Sequence, residues 1–137
     1  MRYFLVTAIF FSLNLSCSSQ NIEQEKTELL SAIELPEDLY PIESLEEWYP
    51  NGDGYFLARY ELEGAIFESA KSQIKKVEKI NNLPFGDEII DDLIFDYVEE
   101  DDNGYYLLNY NRNDPRDIKM IVLNETKNEL IFLISYQ

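Results

Sequence analysis

The chain has 137 residues, with 27 Asp and Glu against 11 Lys and Arg, one cysteine and no histidine, for a net charge of −16. That length favours one domain, and 45% apolar with 14% aromatic residues is enough for a packed core, which excludes wholesale disorder. Without histidine there is no Ser-His-Asp triad, Cys-His dyad, imidazole metal ligand or histidine pH switch. One cysteine closes neither an intrachain disulfide nor a thiolate zinc cluster.

Met1 and Arg2 form a short positive start, followed by the apolar run Tyr3–Leu13. A membrane-spanning helix needs about 20 apolar residues, so this run is too short to cross a bilayer. It suits the apolar core of an export signal, about 7–15 residues. The chain turns polar at once over Ser18–Glu25, and the only cysteine, Cys17, sits at that junction.

Asn14-Leu15-Ser16-Cys17 resembles the lipobox of bacterial lipoproteins. That family prefers leucine three positions before the cysteine, the place Asn14 holds here, and accepts serine at the place of Ser16. The resemblance implies cleavage before Cys17, a diacylglycerol on its sulfur and an acyl chain such as palmitate on the new amine. It also implies an envelope location, with Ser18 fitting an outer-membrane destination under the sorting rule of some Gram-negative bacteria. The other readings of Cys17 are an ordinary signal with an incidental cysteine, or a small buried core cysteine. The expected division is residues 1–16 as signal peptide, 17–27 as lipidated cysteine and polar tether, and 28–137 as a small α+β domain. Cleavage would remove Arg2 and no carboxylate, moving the net charge to −17.

So acidic a chain is not expected to bind duplex nucleic acid, which needs clustered Lys and Arg. It also lacks a basic patch for anionic lipid. A basic protein or a cation is the electrostatically matched partner. The bland alternative is acidity that serves solubility only.

Along the chain, Thr27–Ile33 reads as one or two helical turns ended by Pro36. Leu39–Tyr49 is mixed, and Ser44 followed three residues later by Glu47 resembles a capping box. Pro50–Gly54 is a dense turn signal. Tyr55–Glu63 then alternates, with Phe56, Ala58, Tyr60 and Leu62 on one face, predicting a half-buried strand. After Gly64, the spacing of Ile66, Ala70, Ile74 and Val77 predicts a helix to about residue 80. Lys71, Lys75 and Lys79, with Lys76 alongside, mark another of its faces. Ile89, Ile90, Leu93, Ile94, Tyr97 and Val98 predict a second helix, with Leu93–Val98 alternatively a strand. Tyr105–Tyr110, Asp117–Leu123 and Glu129–Tyr136 predict three strands joined by short turns, hence an antiparallel meander. The last two strands are apolar on both faces, so both faces of the sheet should be covered. The expected fold is α+β, an antiparallel sheet of about four strands with one or two helices packed on it. With Leu93–Val98 as a strand, the order of elements would resemble the cystatin-like arrangement.

Chemistry is sparse. Asn51-Gly52-Asp53-Gly54 lacks the third glycine and following helix of a phosphate cradle, and the closing glutamate of a calcium loop, so it reads as a turn. Glu99, Asp101 and Asn103 alternate before Gly104 and are the only metal candidates, as weak calcium ligands or simply a solvated acidic turn. No carboxylate pair stands out for glycoside hydrolysis, and no cofactor motif is present. Nine tyrosines lie beyond the signal, six of them (Tyr55, Tyr60, Tyr105, Tyr106, Tyr110 and Tyr136) in expected strands as core or half-buried residues. The function these observations favour is a lipid-anchored, non-enzymatic binding or accessory module. One sharper form is an inhibitor or immunity-type lipoprotein that meets a basic enzyme, with the Glu99–Asp102 turn as a contact. Another is a glycan- or calcium-binding surface protein, and a carboxylate-pair hydrolase is the enzymatic alternative. Whether the chain pairs with a second copy stays open.

Overall fold

The computed structural model describes residues 21–89, 91–110, 113, 114 and 116–137. Its centre is a six-stranded, wholly antiparallel sheet in the order β1-β2-β6-β5-β4-β3. The strands are β1 (Glu43–Trp48), β2 (Gly54–Glu61), β3 (Asn81–Asn82), β4 (Gly104–Tyr110), β5 (Ile118–Asn124) and β6 (Glu129–Tyr136). The α+β class and the C-terminal meander stand as expected, but the sheet has six strands rather than about four. The two extra ones are β1 and the short β3.

Alternation sorts the strands onto two faces. Phe56, Ala58, Leu130, Phe132, Ile134, Ile121 and Leu123 point to one face, under the helices. Leu57, Ile131, Leu133, Ile118, Met120 and Val122 point to the other. Every apolar residue of β5 and β6 except Tyr136 is therefore buried, which is why these strands read as unbroken apolar runs. At about 1.5–3 kcal/mol per buried large side chain, this double-faced pair is the main source of stability.

The helix face carries α1, described over residues 21–30, and α2 (Gly64–Ile74). Leu29 and Leu30 of α1 pack on β2 and β6, and Ile33 just beyond is 2% exposed. Lys26 bridges to Glu46 of β1 at 2.8 Å and lies over the Phe56 ring. Glu25 accepts a hydrogen bond from the Tyr136 hydroxyl and pairs with Lys119 at 3.3 Å. The stretch expected as a tether up to residue 27 is thus helical from residue 21 and tied to the sheet. Ala70 and Ile74 bury the inner side of α2. This helix stops at Ile74, six residues before the expected end, and Lys79 takes a left-handed φ of 64° beyond it. Val77, expected on the buried stripe, is consequently 41% exposed.

Two further expectations are corrected. Ser44 is not a helix cap: it lies within β1, opposite Ala58. The Tyr49–Asp53 turn closes a β1–β2 hairpin, with Tyr49 N–H donating to Asp53 O at 2.8 Å. Ladder bonds and the pairing of Leu45 with Leu57 override the local helical preference of Glu46 and Glu47. The described residues of 83–102 form neither a second helix nor a strand, and their one helical element is a 3₁₀ turn at Ile94–Asp96. The condition for a cystatin-like order, a strand at Leu93–Val98, is therefore not met. Instead this segment lies across the second face of the sheet as an irregular layer, burying Leu83, Ile89, Ile94 and Val98. Its nine carboxylates include no cation to pair with at helical spacing, so nothing offsets their repulsion in a continuous helix.

Candidate functional site

The loop layer, residues 83–102, is pinned to the sheet at four places. Near its start, Tyr106 of β4 is 3% exposed, and its hydroxyl donates to Glu88 Oε1 at 2.8 Å while accepting the Gly86 N–H at 3.3 Å. Burial first, then the Glu88 carboxylate, push the Tyr106 phenol above its ordinary pKa. At Asp91, one carboxylate oxygen accepts the Leu93 N–H at 2.9 Å and the other accepts the Gln137 amide at 3.1 Å. Farther on, the Tyr97 ring lies 5.4 Å from the Arg59 guanidinium, and its hydroxyl donates to Glu43 Oε1 at 3.0 Å. Arg59 is itself held between Glu43 at 3.0 Å and Glu129 at 2.7 Å. Burial and the Glu43 carboxylate push the Tyr97 phenol up to about 12.

The fourth attachment is the acidic turn. Lys127 reaches in from the β5–β6 connection and places its ammonium 3.1 Å from the Tyr97 carbonyl, 3.1 Å from Glu99 Oε1 and 3.2 Å from Asp102 Oδ2. Asp102 also accepts the Glu99 N–H at 2.9 Å and the Asn124 amide at 2.7 Å. Burial alone would raise its pKa, but these three donors outweigh burial and hold the carboxyl below its ordinary value. Burial would likewise lower the Lys127 pKa, and its two carboxylate partners raise it instead.

The three metal candidates have different surroundings. Glu99 is engaged by Lys127, Asp101 is exposed, and the Asn103 backbone is tied to the neighbouring turn through Thr126 and Glu125. The cation that the acidic turn holds is the chain's own lysine. Among the described residues, no group of three or more Asp, Glu, His or Cys side chains is arranged to hold a metal ion. Cys17 lies outside the described residues.

What remains is an outward surface of unbalanced charge. Residues 83–102 carry nine carboxylates and no Lys or Arg, part of a cation-free run from Ile80 to Asn111. Arg59 and Lys127 are the cations that meet this layer among the described residues. The side chains of Asp87, Asp92, Asp96, Glu100 and Asp101 are exposed and make no hydrogen bond or ion pair there. Lys71 of α2 and Lys75 just beyond it stand on the opposite side of the sheet, against Glu125 and the Tyr105 ring. Set into the acidic surface is a cleft of about 340 Å³. Its apolar walls are Pro84, Phe85, Ile89, Phe95 and Val98, and its rim carries Asp87, Glu99 and Glu100. Phe85 stands edge-to-face against both Phe95, at 5.8 Å, and Tyr106, at 5.0 Å. Phe95 nonetheless keeps 48% of its surface exposed.

The sequence reading named the Glu99–Asp102 turn but not the cleft or its phenylalanines. The signal that would have found the layer is the cation-free run, visible in the sequence as nine acids between Lys79 and Arg112. Of the strand tyrosines, Tyr106 is buried, Tyr55, Tyr60, Tyr105 and Tyr136 are half-buried, and Tyr110 is 51% exposed. Tyr40 and Tyr49, which flank the edge strand β1, are also exposed. A second groove of about 550 Å³ runs between α1 and the segment after α2, over β4 and β5, with Leu29, Val77 and Leu107 beside Glu28, Glu78 and Lys79, so its charge is mixed.

No family model, curated protein or solved structure matches this chain. Among the described residues, no helix is long and apolar enough to cross a membrane.

Proposed function

We propose that the protein is a non-enzymatic binding module, held at a bacterial envelope membrane by lipid on Cys17, that docks a basic protein through its acidic loop layer. The observation that carries this reading is the concentration of nine carboxylates in residues 83–102, five of them exposed and without a hydrogen bond or ion pair among the described residues, on the segment that carries the exposed Phe95. Like charge gathered on one surface costs self-repulsion that a merely soluble domain would spread out. A basic partner relieves that repulsion, and the field steers its approach. Phe95 and the cleft beside it supply the apolar contact that a purely electrostatic encounter lacks.

The anchor suits this orientation. Three residues separate Cys17 from Asn21, and the four steps between their Cα atoms reach at most about 14 Å. The helix that Asn21 enters lies on the face of the sheet opposite the loop layer. A lipid on Cys17 would therefore leave the acidic surface turned away from the bilayer. A basic envelope enzyme is one partner of the required kind, which would make the protein an inhibitor or immunity-type lipoprotein.

Two experiments test the two halves. Fatty-acid labelling and membrane fractionation should follow Cys17: Cys17→Ser abolishes both, and persistence of both rejects the anchor. Cross-linking of the full chain in cells should capture a basic envelope protein. A variant carrying Asp87→Asn, Asp96→Asn, Glu100→Gln and Asp101→Asn should lose it, and undiminished capture rejects the docking surface.

A further inference from the structure

We infer that the cleft at Phe85 and Phe95 is a socket for a single arginine side chain of the docking partner. This rests on the proposal that the acidic layer docks a basic protein, and it names the group that layer is built to receive. Three features of the cleft converge on that occupant. Its volume, about 340 Å³, is at the low end of ligand pockets of about 300–1,000 Å³, enough to take one long side chain. Its walls are apolar and aromatic, with Ile89 and Val98 buried beneath Phe85 and the exposed Phe95. Its rim carries three carboxylates, of which Asp87 and Glu100 have no partner among the described residues while Glu99 shares Lys127.

Apolar walls alone would suit any aliphatic side chain, and an acidic rim alone would suit any cation. Together they select a group that is flat, weakly hydrated and permanently charged, able to stack on an aromatic ring while its N–H groups reach carboxylates. Guanidinium has those properties, and the compact, strongly hydrated ammonium of lysine does not. The molecule shows the same pairing internally, where the Arg59 guanidinium lies 5.4 Å from the Tyr97 ring and bridges Glu43 and Glu129. The cleft brings the same kinds of group together, aromatic rings and carboxylates.

Nuclear magnetic resonance titration of the full chain in detergent tests the socket, using blocked Gly-Arg-Gly as probe and blocked Gly-citrulline-Gly as its neutral isostere. The arginine probe should shift the Phe85 and Phe95 ring signals saturably, and the citrulline probe should bind at least about 5-fold more weakly, as expected for loss of a cation over a ring beside carboxylates. Phe95→Ala should weaken the arginine probe by about 2- to 5-fold. Its circular dichroism should not change, because this ring is half exposed. Glu100→Gln should weaken it without disturbing the rings. Equal binding of the two probes, or saturable shifts confined to residues away from the cleft, overturns the socket. Failure here is separable from failure of the docking surface: a captured partner lost on neutralising Asp87, Asp96, Glu100 and Asp101 but retained in Phe95→Ala leaves the surface standing and removes the socket.

Discussion

Lys127 crosses from the β5–β6 turn to the loop layer and sets its ammonium 3.2 Å from the Asp102 carboxylate, a side chain only 2% exposed. This contact joins the most acidic segment of the chain to its most buried strands, and it makes the loop layer part of the fold rather than an appendage. Lys127→Met should cost about 2 kcal/mol, because it strands a buried carboxylate that keeps only two neutral donors. Urea denaturation at neutral pH measures the loss.

The same carboxylate gives a pH dependence of definite sign. Asp102 has a folded pKa below its unfolded value of about 3.9. Its stabilisation is therefore complete above that unfolded value and is lost as pH falls below it, through the folded pKa. Asp102→Asn should be less stable than the native chain at pH 7, and the gap should narrow in denaturation curves taken below about pH 4.

Tyr97 provides the complementary test at high pH. Its phenol titrates at about 12, against about 10 for a free phenol. The neutral phenol is the stabilised form, so its contribution is present below about pH 10 and is lost as pH rises toward the folded value. Ultraviolet titration should show one late-titrating phenolate fewer in Tyr97→Phe than in the native chain. Tyr97→Phe should make the stability loss across that interval smaller.

Ile94 opens the 3₁₀ turn of the loop layer and is fully buried. Ile94→Ala should cost about 2–5 kcal/mol in urea denaturation. Amide exchange should accelerate over residues 83–102 more than over β5 and β6, since the layer loses its central apolar peg.

Gly104 opens β4 with φ of 150°, and a Cβ there would collide with the Leu123 carbonyl oxygen. Gly104→Ala should destabilise the protein by more than about 1 kcal/mol, because the strain falls where the acidic turn enters the sheet. Thermal unfolding checks it against Gly52→Ala, whose Cβ meets nothing but whose φ of 96° carries the backbone strain alone.

Much of the architecture is legible in the residues. The β4–β5–β6 meander follows from short turns, and the two-faced apolar pattern of β5 and β6 correctly demands cover on both sides. The identity of the second cover is not legible. Ile89, Ile94 and Val98 recur near helical spacing, yet the acids between them favour an irregular chain whose apolar residues are drawn down by the sheet. β1 escapes notice for a related reason: Ser44 suits a helix cap and Glu46 and Glu47 a helix, and only register with β2 makes them a strand. The Glu99–Asp102 turn is visible as an acidic cluster, but its internal counter-ion, Lys127, lies 25 residues beyond Asp102 in sequence and close to it only after folding.

The reading of the loop layer as a docking surface stands or falls most directly on how salt affects partner capture. The full chain and the variant neutralised at Asp87, Asp96, Glu100 and Asp101 would be compared in capturing an envelope protein across ionic strengths from about 0.05 to 1 M, over which the screening length shrinks to about 3 Å. The account predicts strong capture by the native chain at low salt, a steep decline as salt rises, and little capture by the variant at any salt. Equal capture by both chains, flat across the salt range, would contradict it.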